Sequence, residues 1–195
     1  MNKFVILLLT GVLSLGVLAG CGEDEQLEAK ADISKITSGS DESVGTLLMN
    51  GVVMDLELND VELSDYIKEN KVTMINVWGT FCGPCIREMP DLGEIERKYK
   101  DQGFEIVGLT SDVCDNNGNY DEDVIDDAIS IINDTKITYP VLVSPVELME
   151  NLKIQYVPTT FFLDSDGNLL GGPEIGSKTS DEWEEIINSY LSQED

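Results

Sequence analysis

Histidine is absent from this 195-residue sequence, and only 12 lysine and arginine residues stand against 38 aspartate and glutamate residues. Without histidine, the chain cannot form a Ser-His-Asp triad, a Cys-His pair or a zinc site with imidazole ligands. The formal net charge of −26 argues against nucleic acid as a partner, because binding to phosphates requires clustered cations. Side-chain chemistry must therefore come from thiols and carboxylates.

The chain also has little apolar sequence that could cross a bilayer. Its N-terminal apolar run is about 15 residues long, shorter than the ~20 that a spanning helix needs. The run follows Lys3 and ends in small residues, which predicts a secretory signal peptide over residues 1–20; an uncleaved anchor helix is the alternative. The junction Leu18-Ala19-Gly20-Cys21 resembles the bacterial lipobox. That resemblance implies cleavage before Cys21 and attachment of a lipid to its thiol.

Residues 21–44 are predicted to form an acidic, disordered tether. The segment from Gly22 to Ser43 is rich in Glu, Asp, Lys, Ser and Gly and has no apolar periodicity. The lipid would hold the protein on the extracytoplasmic side of a bacterial cell membrane, while anionic head groups repel the acidic domain. The chain is 42% hydrophobic overall, so residues 45–195 are expected to form one folded domain.

The folded part is predicted to alternate strands and helices. Val72–Trp78 and Phe104–Thr110 are continuous apolar runs, typical of strands buried on both faces. Helices are predicted at 82–100, 121–135, 146–152, 180–191 and in a short segment capped by Ser64, and further strands at 52–58, 139–144, 159–164 and 168–171. This order predicts an α/β domain with a mixed central sheet, helices on both faces and an N-terminal β-extension.

The central motif is Cys82-Gly83-Pro84-Cys85, where a predicted buried strand passes into a predicted helix. Cysteines at this spacing can close a disulfide across the first helical turn. The N–H groups and dipole at the start of the helix stabilise a thiolate on Cys82, which makes it the expected attacking thiol. Cys85 lies about one turn further in and is expected to act as the resolving thiol.

Three other interpretations of the cysteine pair compete with a redox role. A structural disulfide usually closes a longer loop, and an inert reduced pair is uncommon outside the cytoplasm. Half of a zinc site needs a second ligand pair, and only Cys114 remains, which is expected to be a free or partly buried cysteine. The strand-to-helix context favours the redox role.

Four segments besides the motif carry a family resemblance. They are Asn76 to Thr80, Arg87 to Pro90, Val157 to Phe161, and the hairpin from Asp164 to Asn168. Together with the motif, they resemble the thioredoxin superfamily and, within it, the TlpA/ResA-like extracytoplasmic thiol-disulfide oxidoreductases. The resemblance runs from about Val52 to Leu191, and Phe81 departs from it by replacing the usual Trp before the first cysteine. It implies a thioredoxin fold.

The resemblance implies roles for two further residues. Glu88 matches an active-site glutamate of the family, and a carboxylate there can accept the Cys85 proton or raise the thiol pKa values by repulsion. The other interpretation of Glu88 is a solvated helix glutamate, the usual environment of Glu. Pro158 matches the family's cis-proline, which would turn the Val157 backbone toward Cys82 and offer an edge to an extended substrate segment.

The sequence therefore predicts a membrane-tethered thiol-disulfide oxidoreductase that reduces disulfides of exported proteins through Cys82 and Cys85. The Gly-Pro pair between the cysteines is similar to that of the reducing thioredoxins, whose potentials lie near about −270 mV. The expected partners are protein disulfide substrates and a membrane electron donor that re-reduces the pair. Neither a cofactor nor a metal ion is predicted.

Two alternative functions remain at this point. A thiol peroxidase would use Thr80 and Cys82 as a peroxidatic motif, but the vicinal Cys85 and the lack of a catalytic arginine nearby weigh against it. A non-catalytic metal- or substrate-binding lipoprotein would keep the cysteine pair without using it. The lack of His and Met beside the pair argues against copper.

Overall fold

A computed structural model describes residues 41–193 of the protein. The predicted signal peptide, the predicted lipid attachment site Cys21 and residues 21–40 of the predicted tether lie outside the described residues. The first described element is a helix, α1 (Asp41–Met49), which the sequence did not predict. It overlaps residues 41–44, the last four of the predicted tether.

Seven strands form one mixed sheet in the order β2-β1-β5-β4-β3-β6-β7. They are β1 (Val52–Met54), β2 (Asp60–Glu62), β3 (Val72–Trp78), β4 (Phe104–Thr110), β5 (Val141–Val143), β6 (Thr159–Asp164) and β7 (Glu174–Ile175). β3, β4 and β5 run parallel, and the other neighbouring strands pair antiparallel. The predicted α/β class is confirmed, and β1 with β2 forms the N-terminal β-extension.

Helices cover both faces of the sheet, as predicted. After α1 they are α2 (Leu63–Lys68), α3 (Gly83–Tyr99), α4 (Glu122–Thr135), α5 (Val146–Asn151) and α6 (Ser180–Leu191). α3, α4 and α6 share one apolar core, which includes Met89 and Trp183. α1, α2 and α5 share the core on the opposite face, which includes Leu48 and Ile67. Within residues 41–193, none of the helices is both long and apolar enough to cross a membrane.

β3 lies between β4 and β6, and all of its residues are buried. Side chains alternate along a strand, so Met74 and Trp78 enter the core under α3 while Ile75 and Val77 enter the opposite core. Asn76 lies on the α3 side and is the polar exception, with only 1% of its surface exposed. The chain therefore enters α3 from the middle of the sheet, next to one buried amide.

A side-chain hydrogen bond shortens the first predicted strand. The Asp55 Oδ1 atom accepts the backbone N–H of Glu57 at 2.8 Å and of Asn59 at 2.9 Å. These bonds hold a turn in which the N–H groups can no longer join a strand ladder. The strand predicted over 52–58 therefore ends at Met54.

The predicted helix cap at Ser64 is wrong. α2 begins at Leu63 with Glu62 in the N-cap position, and Ser64 lies inside the helix, where its Oγ accepts a hydrogen bond from Lys68 Nζ at 3.0 Å. Leu63 and Ile67 are both fully buried. Residues four apart share one face of a helix, so starting the helix at Leu63 puts both side chains in the same core.

The predicted hairpin differs in its second strand. The chain turns after Asp164, whose Oδ1 accepts the N–H of Asn168 at 2.8 Å. The strand predicted over 168–171 is reduced to an isolated bridge between Leu163 and Leu169. The longer pairing with β6 is made by β7, where Thr159 lies opposite Ile175.

Candidate active site

A disulfide joins Cys82 and Cys85 where β3 passes into α3, and their Cα atoms are 5.3 Å apart. Cys82 is the N-cap of α3, and its Sγ accepts a hydrogen bond from the Cys85 N–H at 3.2 Å. Cys82 is 5% exposed and Cys85 only 1%. The more accessible sulfur therefore lies at the positive end of the helix dipole.

A tight turn precedes the disulfide, closed by a hydrogen bond from the Cys82 N–H to the Gly79 carbonyl at 3.0 Å. Phe81 in this turn is 73% exposed. Its ring lies over Gly79, where an added Cβ would be 2.7 Å from the nearest ring carbon. Glycine at this position thus allows an exposed aromatic ring to lie beside the redox pair.

The loop before β6 brings a carbonyl group to the disulfide. The Val157–Pro158 peptide bond is cis, as the resemblance implied, and the Val157 oxygen lies 3.6 Å from Cys82 Sγ. Tyr156 in the same loop is 66% exposed, and its carbonyl accepts a hydrogen bond from Thr159 Oγ1 at 2.7 Å. The loop therefore places a backbone carbonyl next to Cys82 and carries an exposed aromatic ring one residue earlier.

Glu88 lies on α3, three residues after the second cysteine, and it is 4% exposed. The alternative of a solvated surface glutamate is therefore wrong. Its Oε2 accepts hydrogen bonds from the Lys178 N–H at 3.2 Å and from Trp183 Nε1 at 3.4 Å. Its Oε1 accepts one from Asn76 Nδ2 at 3.5 Å, and the same amide donates to the Thr160 hydroxyl at 3.1 Å.

Burial raises the pKa of Glu88, because the charged carboxylate loses its hydration inside the core. The hydrogen bonds from Lys178, Trp183 and Asn76, and the charge of the Lys178 ammonium, act in the opposite direction without reversing the shift. The groups that donate these bonds are a backbone amide, an indole and a side-chain amide, all of them neutral. The carboxyl group can therefore gain or lose a proton without breaking a hydrogen-bonded ion pair.

Two further buried polar groups lie beside this network. The Tyr139 hydroxyl and Trp78 Nε1 have no hydrogen-bond partner among residues 41–193, and both side chains lie against Gly108. Gly108 is the register partner of Asn76 on the neighbouring strand. Burial first, and the charge of Glu88 second, raise the pKa of Tyr139 above its usual value. The hydroxyl therefore stays protonated at neutral pH.

The family model described as Redoxin matches residues 43–181. The chain belongs to the Redoxin family. The chain is 33% identical over 149 residues to the thiol-disulfide oxidoreductase ResA of Bacillus thuringiensis subsp. konkukian. The aligned region covers 74% of this chain and 76% of the relative. The chain is also 32% identical over 143 residues to ResA of Bacillus anthracis, and this aligned region covers 72% of the chain and 75% of the relative.

Solved structures share the fold of the Redoxin-family chain. A thiol:disulfide interchange protein of the thioredoxin family from Chlorobium tepidum matches it with a TM-score of 0.58 at 20% identity, over 73% of this chain and 96% of that one. This likeness confirms the predicted thioredoxin fold. The ResA relatives show that the chain is an enzyme, a thiol-disulfide oxidoreductase.

Five site residues were predicted, and four of them lie at one end of the sheet: Cys82, Cys85, Glu88 and Pro158. The fifth, Cys21, lies outside the described residues. Lys178 and Trp183 were not predicted as part of the site. Their hydrogen bonds to Glu88 span 90 and 95 residues, so no local pattern marks them.

Cys114 forms no disulfide and is 9% exposed, as predicted for a free or partly buried cysteine. Its backbone pairs with Tyr120 in an isolated bridge, and its sulfur lies 3.7 Å from the Asp115 carbonyl oxygen. Among residues 41–193, no three cysteine, aspartate or glutamate side chains come together in a way that could hold a metal ion.

Proposed function

We propose that this enzyme reduces disulfide bonds of exported proteins, with Cys82 as the attacking thiol and Cys85 as the resolving thiol. A lipid on Cys21 would hold it at the outer face of the bacterial cell membrane. The observation that carries the redox assignment is the disulfide between the N-cap residue of α3 and the residue three positions later. Two thiols that close and reopen such a bond at a helix N-terminus are suited to disulfide exchange.

Position and exposure separate the roles of the two cysteines. In the reduced enzyme, a thiolate on Cys82 retains the N–H of Cys85 as a hydrogen-bond donor and lies against the helix dipole. Both effects favour the charged, nucleophilic form. Cys85 is almost fully buried, so a protein substrate reaches Cys82 first.

The proposed reaction transfers two electrons and two protons. The Cys82 thiol loses its proton to solvent, and the resulting thiolate attacks one sulfur of the substrate disulfide. The other substrate sulfur leaves as a thiolate that takes up a proton from solvent. Cys85 then loses its proton and attacks Cys82 Sγ, which forms the Cys82–Cys85 bond and breaks the mixed disulfide. The second substrate sulfur leaves as a thiolate and takes up a proton, so the substrate is released as a dithiol. A dithiol reductant must then reopen the enzyme disulfide, in the cell through a membrane electron donor.

We assign Glu88 as the acceptor of the Cys85 proton. Residues three apart lie on the same face of a helix, so the carboxyl group is a near neighbour of the resolving thiol. Burial raises the pKa of Glu88, which brings it closer to the operating pH and makes it a better base than a solvated glutamate. The neutral donors around it hold its orientation.

The apolar rim of the redox pair is the proposed docking site for substrate. Phe81 is 73% exposed, Tyr156 66% and Ile175 59%, although each is a large apolar side chain. Ile175 lies opposite Thr159, the residue after the cis-proline. An extended substrate segment with apolar residues near its cysteine would pack on these side chains and pair with the Val157 carbonyl.

Reduction is the proposed direction because the cysteines flank Gly-Pro, as in the reducing thioredoxins, whose potential lies near about −270 mV. A potential in that range favours transfer of electrons from the enzyme to most substrate disulfides. The relatives are named thiol-disulfide oxidoreductases, a name that fits either direction. A potential above about −150 mV, close to that of a strong thiol oxidant, would contradict the reductase assignment.

Reduction of insulin by dithiothreitol tests the redox assignment. The wild type is expected to accelerate the reaction, and Cys82→Ser to abolish the acceleration. Cys114→Ser removes a thiol that forms no disulfide and serves as the matched control, with wild-type activity expected. Full activity of Cys82→Ser would remove Cys82 from the mechanism. Peroxide consumption without insulin reduction would instead identify a thiol peroxidase.

The membrane anchor is tested separately. The full-length protein, expressed in a bacterium fed radiolabelled palmitate, is expected to carry the label and to sediment with membranes. Cys21→Ser is expected to lose the label. Equal labelling of wild type and Cys21→Ser would overturn the lipid attachment without affecting the redox assignment.

A further inference from the structure

The carboxyl ends of β3 and β4 are joined beyond their strand ladder. Trp78 and Thr110 are the last register pair, and the Trp78 carbonyl accepts hydrogen bonds from both the N–H and the Oγ of Ser111, at 2.8 and 2.9 Å. The next residue, Asp112, reaches the segment that leads to the redox pair. Its Oδ2 accepts the Thr80 N–H at 2.9 Å and the Thr80 hydroxyl at 2.7 Å.

Thr80 is the second residue of the turn that runs from Gly79 to Cys82. One oxygen of Asp112 therefore binds both hydrogen-bond donors of a residue in the middle of this turn. This turn determines the position of Cys82, the N-cap residue of α3. Asp112 lies 32 residues after Thr80, so it supports the redox turn from outside the segment that contains the motif.

The other oxygen of the Asp112 carboxylate is the unusual feature. Oδ1 is buried and has no hydrogen-bond partner among residues 41–193. The two donors of Thr80 both bind Oδ2, and among the described residues no lysine or arginine forms an ion pair with Asp112. The charge of Asp112 is therefore only partly compensated, and its carboxylate binds a residue two positions before Cys82, whose sulfur becomes charged on reduction.

We propose that Asp112 is a positioning residue of the redox centre: it holds the Gly79–Cys82 turn through Thr80, and its charge destabilises the Cys82 thiolate and so makes the enzyme a stronger reductant. The inference rests on the redox role proposed for Cys82 and adds a determinant of its potential. The Asp112 carboxylate thus holds the shape of the turn and also raises the tendency of the Cys82–Cys85 dithiol to donate electrons.

The physical reason is the balance of charges around Cys82. Reduction to the thiolate adds one negative charge at the N-cap. The helix dipole favours that charge. Arg87 also favours it, because its guanidinium lies beside Gly83: a Cβ added at Gly83 would be 3.2 Å from the Arg87 Nη1 atom. The carboxylates of Asp112 and Glu88 and the Val157 carbonyl oppose it. A less stable reduced form gives up its electrons more readily.

Two substitutions separate charge from geometry. Asp112→Asn keeps the size and an acceptor oxygen for Thr80 but removes the charge. Thr80→Val removes the hydroxyl donor and keeps the charge, which becomes less compensated. Asp115→Asn, three residues away in an exposed turn, removes an equal charge that does not contact the redox turn, and serves as the matched control.

The experiment measures the equilibrium of the Cys82–Cys85 pair with a glutathione buffer and the rate of Cys82 alkylation across pH. Asp112→Asn is expected to shift the equilibrium about threefold to tenfold toward the dithiol, where tenfold is about 30 mV for this couple. Alkylation at pH 6 is expected to accelerate by a similar factor. Thr80→Val is expected to move both quantities in the opposite direction or not at all, and Asp115→Asn to leave both within about 1.5-fold.

Asp112→Asn with the wild-type equilibrium and alkylation profile would overturn the proposal. So would a shift of the same sign in Thr80→Val, since that would mean that a loosened turn, not the charge, sets the potential. Thermal unfolding confirms that each variant is folded. The redox assignment fails by a different result, full insulin reduction by Cys82→Ser, so the two failures are distinguishable.

Discussion

Helix α3 carries two buried glutamates that have the same side chain and nearly the same burial but different environments. Glu88 is 4% exposed and Glu96 is 2% exposed, eight residues further along. Among the described residues, Glu88 accepts hydrogen bonds only from neutral groups: the Lys178 backbone N–H and the side chains of Trp183 and Asn76. Glu96 forms an ion pair with the Lys100 side chain at 3.1 Å.

The partners, not the burial, distinguish the functions of the two carboxyl groups. The Lys100 ammonium is largely exposed and follows Glu96 by one helical turn, so it pairs with the Glu96 carboxylate near the end of the helix. Among residues 41–193, no cation forms an ion pair with Glu88, and burial raises its pKa although the charge of Lys178 opposes the shift. A buried glutamate is therefore a candidate proton carrier when its hydrogen-bond partners are neutral, and a structural residue when its partner is a cation.

The largest expected difference between the two glutamates is in turnover. Glu88→Gln should slow insulin reduction at pH 7 by about 10- to 100-fold, because the resolving thiol loses its proton acceptor. Glu96→Gln should stay within about twofold of the wild type, since it only weakens a structural contact. Equal rates for Glu88→Gln and the wild type would show that Glu88 does not accept the proton of the resolving thiol.

Removing the cation beside Glu96 is expected to affect stability. Lys100→Met should lower the free energy of unfolding by about 1 kcal/mol, because a buried carboxylate loses its charge partner, although the exposed ammonium makes this less than for a fully buried pair. Lys98→Met breaks the more exposed pair with Glu184 and should cost less. Urea unfolding measures both, and equal losses would show that the burial of Glu96 adds nothing.

The comparison also predicts a pH dependence of stability at Glu88. Its pKa in the folded protein is raised above the ordinary value of about 4.5, so the folded state binds the proton more tightly than the unfolded chain. The wild type should therefore lose stability relative to Glu88→Gln as the pH rises from about 4.5 through the folded pKa. The loss should be about 1.4 kcal/mol for each pH unit that separates the folded pKa from the unfolded pKa. Below that window the difference should be constant. A difference that grows in the opposite direction would show a lowered pKa.

The sequence predicted the centre of the fold well because short-range patterns specify it. The strands at Val72–Trp78 and Phe104–Thr110 and the helix at Ser180–Leu191 were predicted with the bounds that the structure has. Continuous apolar runs and a capped amphipathic segment carry that information locally. Short strands were predicted less well, since one Asp side chain bonded to nearby N–H groups is enough to end β1 or to displace the second strand of the hairpin.

The sequence alone determined three features: the position of the two cysteines at a helix start, the strand before them and the acidic character of the chain. Each of these depends on composition or on residues within a few positions of one another. Only the tertiary structure decided that Glu88 is buried, that Trp183 and Lys178 bind it and that Asp112 holds Thr80. Those contacts join segments 32 to 95 residues apart. Their energies depend on which groups meet inside the core and on whether charges there find partners, and a linear pattern does not contain either.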